Sequence, residues 1–161
     1  MQGRDLMSPS EREFHRKVAV ECFNKTWKYL KKQHRTSGDN RLMLNLAHSS
    51  RYHWNLVGKA SNFAIGDWQI SRVYSTLNQP DLAVHFARSS LETCRKNNIS
   101  GWLLASVYEG MSRAYVANKD YQSAGEYLDK ARQQLRSEDV DEEDLKTISH
   151  QIDETEGMIK E

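Results

Sequence analysis

Proline is nearly missing from this chain, with two residues in 161, and glycine stops at eight. So few breakers argue for helix over most of the length. Cysteine is also scarce: Cys22 and Cys94 cannot form a disulfide framework. Each lies among apolar residues at helical spacing, Val18 and Phe23 near the first and Leu91 near the second. Both are therefore expected to be small buried thiols without a neighbouring activator. No apolar run reaches the ~18 residues that a membrane span needs. The polar N-terminus lacks the apolar segment of a signal peptide, so a cytoplasmic protein with no membrane partner is expected. An excess of one charge is lacking too. The net charge is +1 and the pI about 7.8, with Lys and Arg spread among nearly as many acids, which speaks against a nucleic-acid partner. Motifs for catalysis are absent as well: no glycine-rich phosphate loop, no G-x-S-x-G elbow and no HExxH. No catalytic residue, enzyme activity or cofactor is expected.

The chain does contain a stretch that occurs twice. Ser71 to Glu92 aligns with Ser112 to Gln133 at a constant offset of 41 residues. Ser71-Arg72-x-Tyr74 matches Ser112-Arg113-x-Tyr115, Ala83 matches Ala124, and Phe86 matches Tyr127. The turn residues Asn78-Gln79-Pro80-Asp81 face Asn118-Lys119-Asp120. A self-match at one period with a turn at its middle predicts a helix-turn-helix repeat. One such unit cannot bury its apolar face alone, so the copies must stack. A thin stack suits a chain that is 38% hydrophobic and 28% charged, with a mean hydropathy of −0.80.

Residues 1–7 show no periodicity and are expected to be disordered, ahead of a single domain over 8–161. Ser8-Pro9-Ser10-Glu11 predicts a capped helix start. The stripe Phe14, Val18, Cys22, Phe23, Trp27, Leu30 predicts a long first helix, broken by Thr36-Ser37-Gly38-Asp39. A second helix is expected from about Asn40, a third capped by Ser61 or Asn62, a fourth opened by Pro80, a fifth from Gly101, and a sixth capped by Asp120. The helical pairs then span about 8–57, 62–98 and 100–137. The acidic run 137–144 precedes the stripe Leu145, Ile148, Ile152, Ile159, which predicts a C-terminal capping helix over about 141–159. Residues 1–35 carry nine Lys/Arg against four Asp/Glu, and residues 137–161 carry two against ten. These oppositely charged ends suit either solvated faces or head-to-tail contact in a homodimer.

Tyr108-x-x-Met111-Ser112-x-x-Tyr115, with Ala124 and Ala131, resembles the tetratricopeptide repeat. Ile70-Ser71-x-x-Tyr74 with Ala83 is a second copy, and Trp27-x-x-Leu30 a weaker first one. The period of about 41 exceeds that motif's usual 34, and no copy ends in its customary Pro. Tyr52-His53-Trp54 and Trp68-Gln69-Ile70-Ser71-Arg72-Val73-Tyr74 also resemble a group of short bacterial helical-repeat proteins of unassigned function. The resemblance implies an all-α, tetratricopeptide-like right-handed α-solenoid of three pairs plus a capping helix. It further implies a non-catalytic adaptor that binds a protein or peptide in the concave groove lined by the first helix of each pair.

Under that resemblance Lys32, Arg72 and Arg113, at spacings of 40 and 41, form a ladder of cations along the groove, with Lys28, Trp68 and Glu109 one turn earlier. Guanidinium and ammonium groups beside an indole suit an acidic partner. The same arginines equally suit internal pairing, for example Arg72 with Glu109 across the stack. The residues of the carboxylate-binding chaperone adaptors are poorly matched: Lys28 fits, but Lys32, Gln69, Ser106 and Gly110 do not supply the rest. His48, Tyr52, His53 and Trp54 make a candidate polar patch and the alternative of a small-ligand or metal-binding protein. His48 and Tyr52 share a helix face, but three or four convergent ligands at zinc spacing are not present, so no metal is expected.

Overall fold

Ser8 opens the first helix through a reciprocal cap. Its Oγ accepts from the Glu11 amide at 3.2 Å, and the Glu11 carboxylate accepts from the Ser8 amide at 2.7 Å. Pro9 takes the first helical position, where its missing N–H costs nothing. The computed structural model describes residues 6–137 and 139–160. Of the segment expected to be disordered, residues 1–5 lie outside the described residues. Seven helices follow: α1 (Pro9–Leu30), α2 (Ser37–Val57), α3 (Ala60–Thr76), α4 (Pro80–Lys96), α5 (Gly101–Ala117), α6 (Tyr121–Ser137) and α7 (Glu142–Lys160). The protein is all-α, with no strand among the described residues.

Two boundaries differ from the sequence reading. Thr36-Ser37-Gly38-Asp39 is a helix start rather than a break. Thr36 Oγ1 accepts from the Asp39 amide at 3.0 Å, and the Asp39 carboxylate accepts from the Thr36 amide at 3.1 Å. α1 therefore ends at Leu30, and Arg35 folds back so that its Nη1 donates to the carbonyls of Tyr29 and Lys32 at 3.3 and 3.1 Å. A cation there satisfies carbonyls that the helix end leaves open. α3 begins at Ala60, before the expected caps, because Asn62 accepts backwards from the Lys59 amide at 2.9 Å. Asp120 caps α6 as its sequence predicts, taking the Ser123 amide at 3.1 Å and the Ser123 hydroxyl at 2.6 Å. The Ser123 hydroxyl, then the amide, hold the Asp120 carboxyl below the usual carboxylate range.

Short connections place consecutive helices side by side, so α1 packs on α2, α3 on α4 and α5 on α6. Contact passes onward through α1 to α3, α3 to α5 and α5 to α7, and from each second helix to the next first one. The 41-residue offset survives down to single atoms. Ser71 Oγ donates to the Ala83 carbonyl and Ser112 Oγ to the Ala124 carbonyl, each at 2.7 Å. Tyr74 stacks on Phe86 with centroids 5.6 Å apart, and Tyr115 on Tyr127 at 5.7 Å. The hydroxyl of each tyrosine reaches back one pair, Tyr74 to His48 Nε2 at 3.1 Å and Tyr115 to Arg88 Nη2 at 2.8 Å. Even the turns match, with Asn78 at φ 54° and Lys119 at φ 59° in the left-handed region.

A second staple is made twice and then lost. Ser50 Oγ donates to the Ala19 carbonyl at 2.8 Å and Ser90 Oγ to the Ala64 carbonyl at 2.7 Å. Forty-one positions after Ser90 stands Ala131, which has no hydroxyl. The staples are wholly buried, so removing one leaves a carbonyl with less satisfaction in a dry place. Ser71→Ala and Ser112→Ala should each cost about 1 kcal/mol, measured as a drop in the urea midpoint, whereas Ser137→Ala on the surface should cost next to nothing.

The main core runs unbroken from α2 to α6, with Met43, Ile70, Val73, Leu103, Val107 and Met111 filling it. Ala47, Ala64, Ala83, Ala87 and Ala114 let helix axes approach. A second, smaller cluster of Ala105, Leu128, Ala131, Ile148 and Ile152 seats α7 on α5 and α6.

Candidate ligand groove

The first helices of the three pairs and α7 together wall a groove of about 980 Å³. Its apolar lining comes from Phe23, Trp27 and Leu30 of α1, Ile65 and Trp68 of α3, and Trp102 and Leu103 of α5. Trp27 and Trp68 meet across α1 and α3 with ring centroids 5.6 Å apart. Trp68 also lies against Gly110 of α5. A β-carbon at Gly110 would stand 2.6 Å from Trp68 Cδ1, so only glycine admits the indole here. Trp102 lines the groove from α5 and is exposed.

Beside the indoles is a cluster of charge. Glu109 on α5 is wholly buried; its Oε1 accepts from Arg113 Nε at 2.9 Å and from Thr155 Oγ1 of α7 at 2.6 Å. Arg72 on α3 approaches the same oxygen at 3.8 Å and lies over the Trp27 ring at 5.7 Å. Glu154 on α7 reaches Arg113 Nη2 at 3.4 Å and Arg72 Nη2 at 3.9 Å. Burial, and then the like charge of Arg113, pull the Arg72 guanidinium down to about 10, with Glu109 and Glu154 opposing the shift. It still carries its proton at neutral pH.

The repeat offset explains this grouping. Trp27, Trp68 and Glu109 occupy one column at 41-residue steps, and Lys31, Arg72, Arg113 and Glu154 another. Trp68, Arg72 and Arg113 thus come together at the groove, with Glu109 buried against both arginines. Lys32 and Lys28 do not join them. Lys32 turns to the start of α2, where its Nζ bonds Asp39 at 3.0 Å and lies 5.3 Å from the Tyr29 centroid; Lys28 is exposed and outside the groove lining. The lysine that α1 brings to the groove wall is Lys31, which a strict step of 41 back from Arg72 selects and a step of 40 misses; α7 adds Lys146. Glu154 and Thr155 also escaped the sequence reading, although Glu154 stands one full step beyond Arg113.

The four residues of the expected polar patch are split. His48 bonds Tyr74 and packs edge-on to Phe86 at 5.6 Å, and burial lowers its pKa. His53 turns to α1, its Nδ1 2.8 Å from His15 Nδ1; burial, then the charge of His15, lower its pKa. That contact needs one ring nitrogen to donate and the other to accept, so both cannot carry protons there. Tyr52 is exposed beside His53, and Trp54 is half-buried, with its carbonyl taking the Gly58 amide at 2.6 Å. Among the described residues no three His, Cys, Asp or Glu side chains are grouped so as to hold a metal ion. Cys94 is buried as expected and burial raises its thiol to about 11, while Cys22 is only half-buried. No helix of the structure, among the described residues, is long and apolar enough to cross a membrane.

No protein-family model, curated protein or solved structure matches the chain.

Proposed function

We propose that the protein is a non-catalytic adaptor of tetratricopeptide-like solenoid architecture, and that it binds a segment of a partner protein in the groove. The observation that carries this reading is the groove itself, which is walled by three tryptophans from three successive first helices and backed by Arg72, mostly buried, and Arg113, buried. Aromatic side chains and arginine dominate binding energy at protein interfaces because they bury much area at small entropic cost. Pairs that repeat one side-chain geometry at a 41-residue offset support the solenoid, since equivalent contacts between successive pairs generate one. The partner segment presents apolar or aromatic side chains to Trp27, Trp68 and Trp102 and an acidic group to the arginines.

A photo-crosslinking amino acid at Thr76, an exposed position on the groove wall, tests this against one at Gln133 on α6. In cells of the source organism, position 76 should capture a discrete protein that position 133 does not. Trp102→Ala should weaken the capture about thirtyfold, the scale of a tryptophan at the centre of an interface. Equal capture from both positions, or none from position 76, would overturn the reading.

A further inference from the structure

The guanidiniums beside the groove outnumber the carboxylate buried with them. The Arg72 and Arg113 side chains are 14% and 9% exposed, and the Glu109 side chain, in contact with both, is 0% exposed. One positive charge is left over in a poorly hydrated place, where an unmatched ion is strongly disfavoured. The chain answers it with Glu154, and answers it poorly. The Glu154 carboxylate stands 3.4 and 3.9 Å from the two arginines, beyond the roughly 2.7–2.9 Å of a charge-assisted hydrogen bond. Its side chain is 44% exposed, and its other oxygen is 3.5 Å from His150 Nε2. Arg72 Nη1, meanwhile, is buried and hydrogen-bonds no protein atom among the described residues.

We propose that the space between Arg72 and Arg113 is a seat for one carboxylate of the bound segment, and that Glu154 holds this seat as an internal stand-in until the ligand displaces it. The proposal rests on the groove reading and names the chemistry the groove selects. A monoanion fits better than a phosphate, because Glu109 already cancels one charge of the arginine pair and a single positive charge of that pair remains, while Lys31 and Lys146 of the lining are exposed to solvent. An aromatic neighbour to that carboxylate is favoured as well, because Trp68 stands one turn before Arg72 on α3 and the Trp27 ring of α1 lies 5.7 Å from the Arg72 guanidinium. The ligand element is therefore an Asp, Glu or C-terminal carboxylate next to an aromatic group. Glu154 lies on a rim that α7 presents to solvent, so it can swing aside without disturbing the buried Thr155–Glu109 bond.

Three probes of one shape test the seat: 3-phenylpropionate, 2-phenylethyl phosphate and 3-phenylpropanol. Their binding is followed by tryptophan fluorescence, since three of the four tryptophans line the groove, and by calorimetry. Glu154→Gln should bind 3-phenylpropionate about tenfold more tightly than the parent, the scale of one hydrogen bond to a charged group. Asp153→Asn removes the same charge from an exposed neighbour and should match the parent. Glu154→Asp keeps the charge but withdraws the carboxylate, so its affinity should fall between, which covers the case in which the glutamine variant melts too low. The alcohol should bind all four proteins equally. No gain in either Glu154 variant, an equal gain in Asp153→Asn, or tighter binding of the phosphate than of the carboxylate would overturn the seat. Failure of every probe to bind would overturn it too, while the cross-link from position 76 judges the groove independently.

Discussion

Replacing Glu109 by alanine should lower the stability of this protein by about 3–5 kcal/mol, the usual cost of leaving a buried counter-charge without its partner. The Glu109 side chain has no solvent exposure, and it takes a guanidinium from its own helix and a hydroxyl from α7 on one oxygen. Its loss strands Arg113 and Arg72 together, two like charges with only the half-exposed Glu154 between them. Against a total of about 5–15 kcal/mol for an ordinary domain, that is a large share. Glu109→Gln separates charge from shape. Its amide oxygen still accepts from Thr155 and Arg113, so the difference between the two variants in the urea midpoint measures the cost of the charge. A Glu109→Ala midpoint within about 0.5 kcal/mol of the parent would show the arginines to be hydrated enough to stand alone.

The second large effect is expected at the C-terminus. A chain ending at Val140 loses α7, and with it Ile148, Ile152 and Thr155, all buried. Each buried isoleucine is worth roughly 2–5 kcal/mol when cut back, so removing both with the buried hydroxyl exceeds what a marginally stable stack can lose. Ala105, Leu128 and Ala131 would then face water, and Glu109 would lose its bond from Thr155. We expect a truncated protein that aggregates or melts without a cooperative transition by circular dichroism. A truncation that stays monomeric in light scattering, with an unchanged melting temperature, would show that α5 and α6 need no cover. Ile152→Ala gives the graded version, with a loss in the same 2–5 kcal/mol range.

Much of this arrangement is legible in the sequence because a repeat states the same fact twice. Ser71 with Ala83 and Ser112 with Ala124 align in sequence and bond alike in space. Periodicity tells which face of a helix turns inward, so all seven helices and their order follow from the apolar stripes. It says less about ends. Gly38 reads as a breaker, yet a first-turn glycine is harmless once Thr36 and Asp39 cap each other. Nor does periodicity name partners across the stack. Glu109 replaces a tryptophan in its column, and only the docking of α7 brings Thr155 and Glu154 to it. The candidate ladder differs at Lys32 for a related reason: just past the end of α1, one residue of slip sends a side chain to a different neighbour.

The uneven burial along the chain has a consequence for how the groove behaves. Within α5 eleven residues are buried, whereas α1 buries two, Ala19 and Thr26. Among the described residues the α1–α2 pair has a helical neighbour on one side only, so its amide protons should exchange with solvent sooner than those of the middle pair, through partial opening rather than global unfolding. Phe23, Trp27 and Lys31 ride on that looser unit. One wall of the groove should therefore loosen before its floor, and a ligand held between them should spend part of its binding energy on ordering α1.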